Sequence, residues 1–166
     1  MTKFQYENSS LYYDISGNGI PIVFIHPPAM GRVVFRTQKE LSRYFTVIIP
    51  DLSGNGDSSA IEKTVTIRGY AEEIKALLDH LQIEKAVICG YSAGGSVAQE
   101  YALSFPQRTL GLILISGYPE VLSLGFKYEH IIGMYLVKRF PDFLAKLIAS
   151  SHTDDRKFQD EIIHHM

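Results

Sequence analysis

Shortages in this chain narrow the possibilities before any motif does. Cys89 is the lone cysteine of the 166 residues, which excludes an intrachain disulfide. It closes the apolar run Ala86-Val87-Ile88-Cys89, a place that suits a buried core thiol better than a reactive one. Excess charge is also missing: 16 basic against 18 acidic residues leave a formal −2, so electrostatics provides no reason to expect nucleic acid or an anionic membrane as partner. No apolar run approaches the roughly 20 residues needed to span a bilayer, and Met1 to Ser10 lacks the apolar stretch of a secretory signal. The expectation is a cytoplasmic protein. No spacing of histidine, cysteine and carboxylates suggests a metal site, and no cofactor is implied. Repeats, low-complexity tracts and linkers are absent. What remains, 46% hydrophobic and 20% charged, is the composition of a globular chain with one core.

The first half alternates strand-like and helix-like segments, which argues for an α/β sheet. Phe4 to Tyr6 and Leu11 to Ile15 read as an antiparallel pair. Pro21 to Ile25, Thr46 to Ile49, Ala86 to Cys89 and Leu112 to Ile115 are continuous apolar runs suited to buried parallel strands. Ile67, Tyr70, Ala71, Ile74, Leu77, Leu78 and Leu81 recur at helical spacing. That helix is expected to have Thr66 as its cap and Glu72, Glu73, Lys75 and Asp79 in solvent. From Gly117 onward no strand-like run returns. Helices are expected over Phe126 to Arg139, over Pro141 to Ser150, and from about Thr153 to the last residue.

The segment Gly90-Tyr91-Ser92-Ala93-Gly94 follows an apolar strand and precedes a helix over Ser96 to Phe105. A free serine hydroxyl is a poor nucleophile at neutral pH and needs an adjacent base. A tight strand-to-helix turn presents the hydroxyl where base and substrate can both reach it, and such a turn needs glycine at its flanks. The pattern is the G-x-S-x-G elbow, with Ser92 as candidate nucleophile. The amide of Ala93, at the helix start, would point into the same space as an oxyanion donor.

Three motifs in order carry a family resemblance: His26-Pro27-Pro28-Ala29-Met30-Gly31, Asp51-Leu52-Ser53-Gly54-Asn55-Gly56-Asp57-Ser58, and Gly90 to Gly94. Together they resemble the lid-bearing serine hydrolases of the α/β-hydrolase superfamily, over roughly residues 4 to 120. The resemblance implies a mostly parallel sheet flanked by helices, with residues 1–116 as core and 117–166 as the start of a helical lid. It also implies that the loop beginning at His26 gives the second oxyanion donor. Pro28 stands where that donor often sits and has no N–H, so the role passes to Ala29. By the same resemblance His26 braces the loop rather than serving as base, Asp51 and the Gly54-x-Gly56-x-Ser58 turn are scaffold, and Met30 and Tyr91 flank the pocket.

In such a family the acid and the histidine follow the serine, on loops after later strands. A complete member would have roughly 250 residues, within the size of one α/β domain. The expectation is therefore a chain that stops inside the lid, lacking the last two strands. Asp142, Asp154, Asp155 or Asp160 with His164 or His165 would satisfy the chain order but lie on expected helices, and His80, His130 and His152 lie on scaffold or lid helices. Losing the serine or histidine of a triad costs about 10⁶ in kcat, so the chain alone is expected to be nearly inactive. Phe126, Tyr128, Met134, Tyr135 and Phe143 suggest a small-molecule substrate with an apolar acyl or alcohol group. The strand Leu112 to Ile115 would be a bare apolar edge, inviting pairing with itself or with another chain. The competing expectations are a non-catalytic hydrolase-fold module, and an acyltransferase or cofactor-free peroxidase on the same scaffold.

Overall fold

The computed structural model describes residues 2–60, 64–118 and 123–166. The strands are β1 (Thr2–Tyr6), β2 (Ser9–Ser16), β3 (Ile20–Ile25), β4 (Phe45–Pro50), β5 (Ala86–Tyr91) and β6 (Thr109–Ile115). The helices are α1 (Ile67–His80), α2 (Gly94–Ser104), α3 (Leu124–Arg139), α4 (Pro141–His152) and α5 (Arg156–His164). One six-stranded sheet runs in the order β1-β2-β4-β3-β5-β6. β1 and β2 join antiparallel, and β4, β3, β5 and β6 are mutually parallel. The sheet is thus the expected mostly parallel one, with β4 and β3 at its centre and β5 between β3 and the edge strand β6.

Alternate side chains of the central strands feed two cores, as the period of a strand requires. Val23, Ile25, Ile48 and Ile88 pack against α1 and α2 through Ala71, Ile74, Leu77, Leu78, Val97, Ala98 and Tyr101. Ile22, Phe24, Val47, Ile49 and Cys89 face the other way, onto Phe35. Phe35 ends a short 3-10 helix, Arg32–Phe35, which is followed by another at Thr37–Arg43. Neither was evident from spacing, because only Arg32 and Phe35 of these residues are buried and no apolar period forms. Burial pushes the Cys89 thiol up to about 11, which leaves it an inert core group.

Thr66 caps α1 by accepting the Gly69 amide at 2.9 Å. Two residues of α1 differ from expectation. Glu73, read as solvent-facing, is only 2% exposed, because Ser53 reaches it from the loop after β4 with both hydroxyl and amide. Ile67, read as buried, is exposed at the first turn. α2 begins two residues earlier than spacing indicated, since Gly95 N–H donates to Ser92 O and Ser96 N–H to Ala93 O. Phe105 takes an extended φ of −130° before Pro106 and ends it.

β6 bulges at its start: Ala86 faces Thr109 while Val87 faces Gly111, so Leu110 is the extra residue. Its outer edge pairs with no strand among the described residues, and Leu110, Leu112, Ile113, Leu114 and Ile115 are 40–53% exposed. Beyond it the described chain is helical. α5 ends at His164 rather than running on to Met166. α4 and α5 fold back onto the loop after β3, where Met30 packs with Ala149 and Ile162. Tyr128, Tyr135 and Phe143 of the expected lid are exposed, whereas the side chains of Phe126 and Met134 lie outside the described residues. No helix among the described residues is long and apolar enough to cross a membrane.

Candidate active site

At the end of β5 the backbone turns sharply into α2, and Ser92 sits on the turn with φ +50°. Serine has no intrinsic preference for this left-handed region, so the surroundings must impose it. They do so through close backbone approach. A Cβ on Gly90 would lie 2.5 Å from Gly94 O and 2.6 Å from Gly95 Cα. One on Gly94 would lie 2.3 Å from Ile25 O and 2.7 Å from His26 O. Glycine at both positions therefore lets α2 start against the end of β3. The Ser92 amide donates to Ile115 O at 2.8 Å, which ties the turn to the end of β6.

The Ser92 side chain is partly exposed and makes no hydrogen bond among the described residues. Ala93 follows at the first turn of α2, whose own bonds run from the amides of Gly95 and Ser96, leaving the Ala93 amide outside the helix ladder. A helix N-terminus favours negative charge, so this amide has the position and polarity to hold an oxyanion formed at Ser92.

The neighbouring wall is the loop after β3. His26 is fully buried, with Nδ1–H donating to Pro27 O at 2.8 Å and Nε2 accepting the Leu52 amide at 3.0 Å. Burial holds the imidazole below its ordinary pKa; the Pro27 carbonyl and Asp51 work the other way without overcoming it, and Arg32 adds to the lowering. With both nitrogens occupied inside the protein, this ring has no free nitrogen for a serine proton. Ala29 has φ +67°, and its amide donates to Asn55 Oδ1 at 2.7 Å. That amide is engaged with the Asp51–Ser58 turn rather than free for a ligand.

A buried charge cluster joins the two loops. The Arg32 amide donates to Asp51 Oδ1 at 2.6 Å, and its guanidinium pairs with Asp51 Oδ2 and, at 2.7 Å, with Asp57 Oδ2. Burial alone would disfavour the Arg32 charge, but Asp51, Asp57 and Asp14 more than offset it. Gly56, at φ +55°, leaves the room the Asp51 carboxylate fills: a Cβ there would lie 2.3 Å from Asp51 Oδ2. Ser58 Oγ closes the turn, donating to Asp51 O and accepting the Tyr12 amide, both at 2.8 Å. Arg32 is a functional-site residue that no sequence motif marked, and the bridging roles of Asn55 and Glu73 did not follow from the motif and helix that contain them. The available signal was a lone arginine before the apolar Val33-Val34-Phe35, a charge that burial obliges to find carboxylates.

The helices after β6 complete the surroundings. Tyr91 Oη lies 3.0 Å from His152 Nε2, and Met30 is buried under α4 and α5. A partly open cavity of about 120 Å³ is lined by Ala29, Pro141, Asp142, Leu144, Ala145, Ile163 and Met166. A larger hollow of about 520 Å³, lined by Asp79, Gln82, Glu84 and Arg108, lies at the opposite ends of β5 and β6. Ligands of open α/β sheets bind at the carboxyl ends of the strands, where Ser92 is and that hollow is not. Neither His164 nor His165 hydrogen-bonds Ser92: His165 lies 3.7 Å from Asp57. Asp155 caps α5 by accepting the Lys157 amide.

A family model described as alpha/beta hydrolase fold matches residues 20–159. A pimeloyl-[acyl-carrier protein] methyl ester esterase of Aliivibrio fischeri is 34% identical over 112 residues, 67% of this chain and 42% of that protein. A soluble epoxide hydrolase of Corynebacterium is 28% identical over 145 residues, 84% of this chain and 51% of that one. Among solved structures, a thermophilic esterase from Thermogutta terrifontis superposes with a TM-score of 0.79 at 27% identity, covering 95% of this chain and 61% of its own. The chain spans about half or less of the length of the curated relatives it matches.

Proposed function

The chain belongs to the α/β-hydrolase fold family, and from that membership we propose that it carries the nucleophile and oxyanion side of a serine hydrolase acting on carboxylic esters. The observation that carries the reading is Ser92 at φ +50° on a strand-to-helix turn cleared by Gly90 and Gly94. Ser92 Oγ attacks the ester carbonyl while a histidine takes its proton and an acid orients that histidine. The carbonyl oxygen becomes an oxyanion held by Ala93 N–H. Ala29 joins as second donor once its amide leaves Asn55 Oδ1. Collapse of the tetrahedral adduct expels the alcohol, which takes the proton back from the histidine, and leaves an ester at Ser92. Water, deprotonated by the same histidine, then releases the acid and restores the serine.

Among the described residues no histidine hydrogen-bonds Ser92, and we assign the base and the acid to the longer protein of which this sequence is a part. That assignment is in keeping with the greater length of the relatives. Relatives are named both esterase and epoxide hydrolase, and the nucleophile's chemistry favours the first for this chain. Serine attack on an epoxide would leave an ether, which water does not split, whereas an acyl-serine is an ester that water cleaves. The test is labelling with a fluorophosphonate followed by peptide mapping, on the longest protein that contains this sequence. Modification at Ser92, blocked by prior incubation with a hydrolysable ester, is expected. An intact fold with Ser92 unmodified would overturn the proposal and favour a non-catalytic module.

A further inference from the structure

One contact near the site is used neither by the core nor by the chemistry above. Tyr91, immediately before the nucleophile, reaches His152 in the last turn of α4 with Oη to Nε2 at 3.0 Å. The rings meet edge to face, with centroids 6.0 Å apart and planes at 78°. His152 Nδ1 lies 2.8 Å from Ile148 O, an acceptor, so Nδ1 carries the proton and Nε2 is left to accept the tyrosine hydroxyl. The imidazole is thus oriented by its own helix before it meets Tyr91.

α4 makes its other inward contact through the same face. Ala145, Ala149 and His152 recur at helical spacing, and Ala149 packs on Met30 of the loop after β3. Small side chains there let the helix lie close to that loop. On the side of the site, α4 meets the oxyanion-side loop by apolar contact and the elbow by one hydrogen bond, and it also packs on α5 and α3. The Met30 contact is buried and shared with α5, while the His152 contact is exposed and single. The second is the one that can open without disturbing the first.

We propose that His152 is a positioning residue: by accepting the Tyr91 hydroxyl it latches the end of α4 beside the nucleophile elbow and limits the size of the group that reaches Ser92. The size limit rests on the serine-nucleophile reading; the latch does not. Replacing either partner removes one hydrogen bond between neutral groups, and a bond of that kind shifts an opening equilibrium about five-fold.

The experiment uses the longest protein that contains this sequence and compares wild type with Tyr91→Phe, His152→Ala, His152→Gln and, as control, His164→Ala on exposed α5. Gln reaches about as far as His Nε2 and can accept from the hydroxyl. Hydrogen–deuterium exchange of α4 amides is expected to quicken about five-fold in Tyr91→Phe and His152→Ala, to stay near wild type in His152→Gln and to be unchanged in His164→Ala. Unchanged α4 exchange in His152→Ala overturns the latch. So does equal quickening in His152→Gln, or quickening that extends to β3 and β5. In parallel, Ser92 is labelled with an ethyl and with a long-chain fluorophosphonate. The long-to-short rate ratio should rise in the two latch-breaking variants, and a ratio that does not move overturns the size limit. If wild-type Ser92 takes up neither probe, the nucleophile reading falls while the exchange result still decides the latch.

Discussion

The two walls of the site are held in place by different physics. The elbow is steric: Gly90 and Gly94 admit backbone atoms that any side chain would push away, and the left-handed Ser92 follows from that crowding. The opposite wall, the loops after β3 and β4, is electrostatic, pinned by Arg32 between Asp51 and Asp57 and by His26 and Asn55 bridging the two loops. A steric device is local and tolerates no added atom. A charge device spans distant residues and tolerates no missing partner. The same wall positions differ in what they offer a substrate: the Ala93 amide stands outside its ladder, while the Ala29 amide is already bound to Asn55.

The largest effect separates chemistry from architecture on the steric wall. Ser92→Ala removes a hydroxyl that supports nothing else, so thermal stability should stay within about 0.5 kcal/mol of wild type. Ester hydrolysis by the complete enzyme should fall by about 10⁶ in kcat. A variant that kept activity would remove the elbow from the catalytic account. On the charged wall, Arg32→Ala leaves the Asp51 carboxylate buried without its cation, and urea unfolding should show a loss of about 3–5 kcal/mol. Replacing both charges, Arg32→Met with Asp51→Asn, which keeps an acceptor for the Arg32 amide, should cost less than Arg32→Ala alone. If the double variant were the worse one, the charges would be contributing more than mutual compensation.

This contrast also explains what could be read in the chain. The elbow was legible because its five residues are contiguous and the strand and helix around it have periods of their own. The strands β3, β4 and β5 were legible for the same reason, as were α1 and its Thr66 cap. The charged wall was only half visible. Asp51 and the glycine turn stood out by pattern, but Arg32 is 19 residues from Asp51 and Glu73 is 20 from Ser53. Glu73, three residues after Tyr70 and four before Leu77, borders the apolar face of α1 while Glu72 lies opposite it, but only the fold brings Ser53 to Glu73. The Ala29 amide was assigned by eliminating prolines, and its engagement with Asn55 depends on a side chain 26 residues away.

A smaller effect probes how rigid the steric wall is. Gly94→Ala would place Cβ 2.3 Å from Ile25 O and 2.7 Å from His26 O, both main-chain atoms that cannot swing aside. Overpacking of this kind costs about 1–3 kcal/mol, and backbone on two sides puts this site at the upper end. Gly133→Ala on α3, where a Cβ meets nothing within 4 Å, is the matched control and should be neutral or slightly stabilising. Equal melting temperatures for the two variants would show that the elbow yields, and the difference between the walls would then be one of degree.

The smallest effect is a pH slope that belongs to the charged wall alone. Burial holds His26 neutral in the folded protein, below its ordinary pKa of about 6.5. Above that value both folded and unfolded states carry a neutral ring, and His26 adds no pH dependence. As the pH falls below it the unfolded chain takes up a proton that the folded chain refuses, so stability declines. One proton allows a slope of at most about 1.4 kcal/mol per pH unit, continuing until the folded pKa is reached. Glu73 acts with the opposite sign, because burial raises its pKa and the folded state then holds the extra proton as the solution becomes acid. The comparison is therefore between wild type and His26→Asn at matched pH, from 7.5 down to about 5.5, in urea. The variant should be less stable at pH 7.5, since the Leu52 amide loses its acceptor, yet the gap should narrow steadily below about 6.5. A gap that stays constant with pH would mean that the ring takes up its proton equally in the folded and unfolded states, and a gap that widens as the pH falls would make His26 a cation beside Asp51 rather than a neutral bridge.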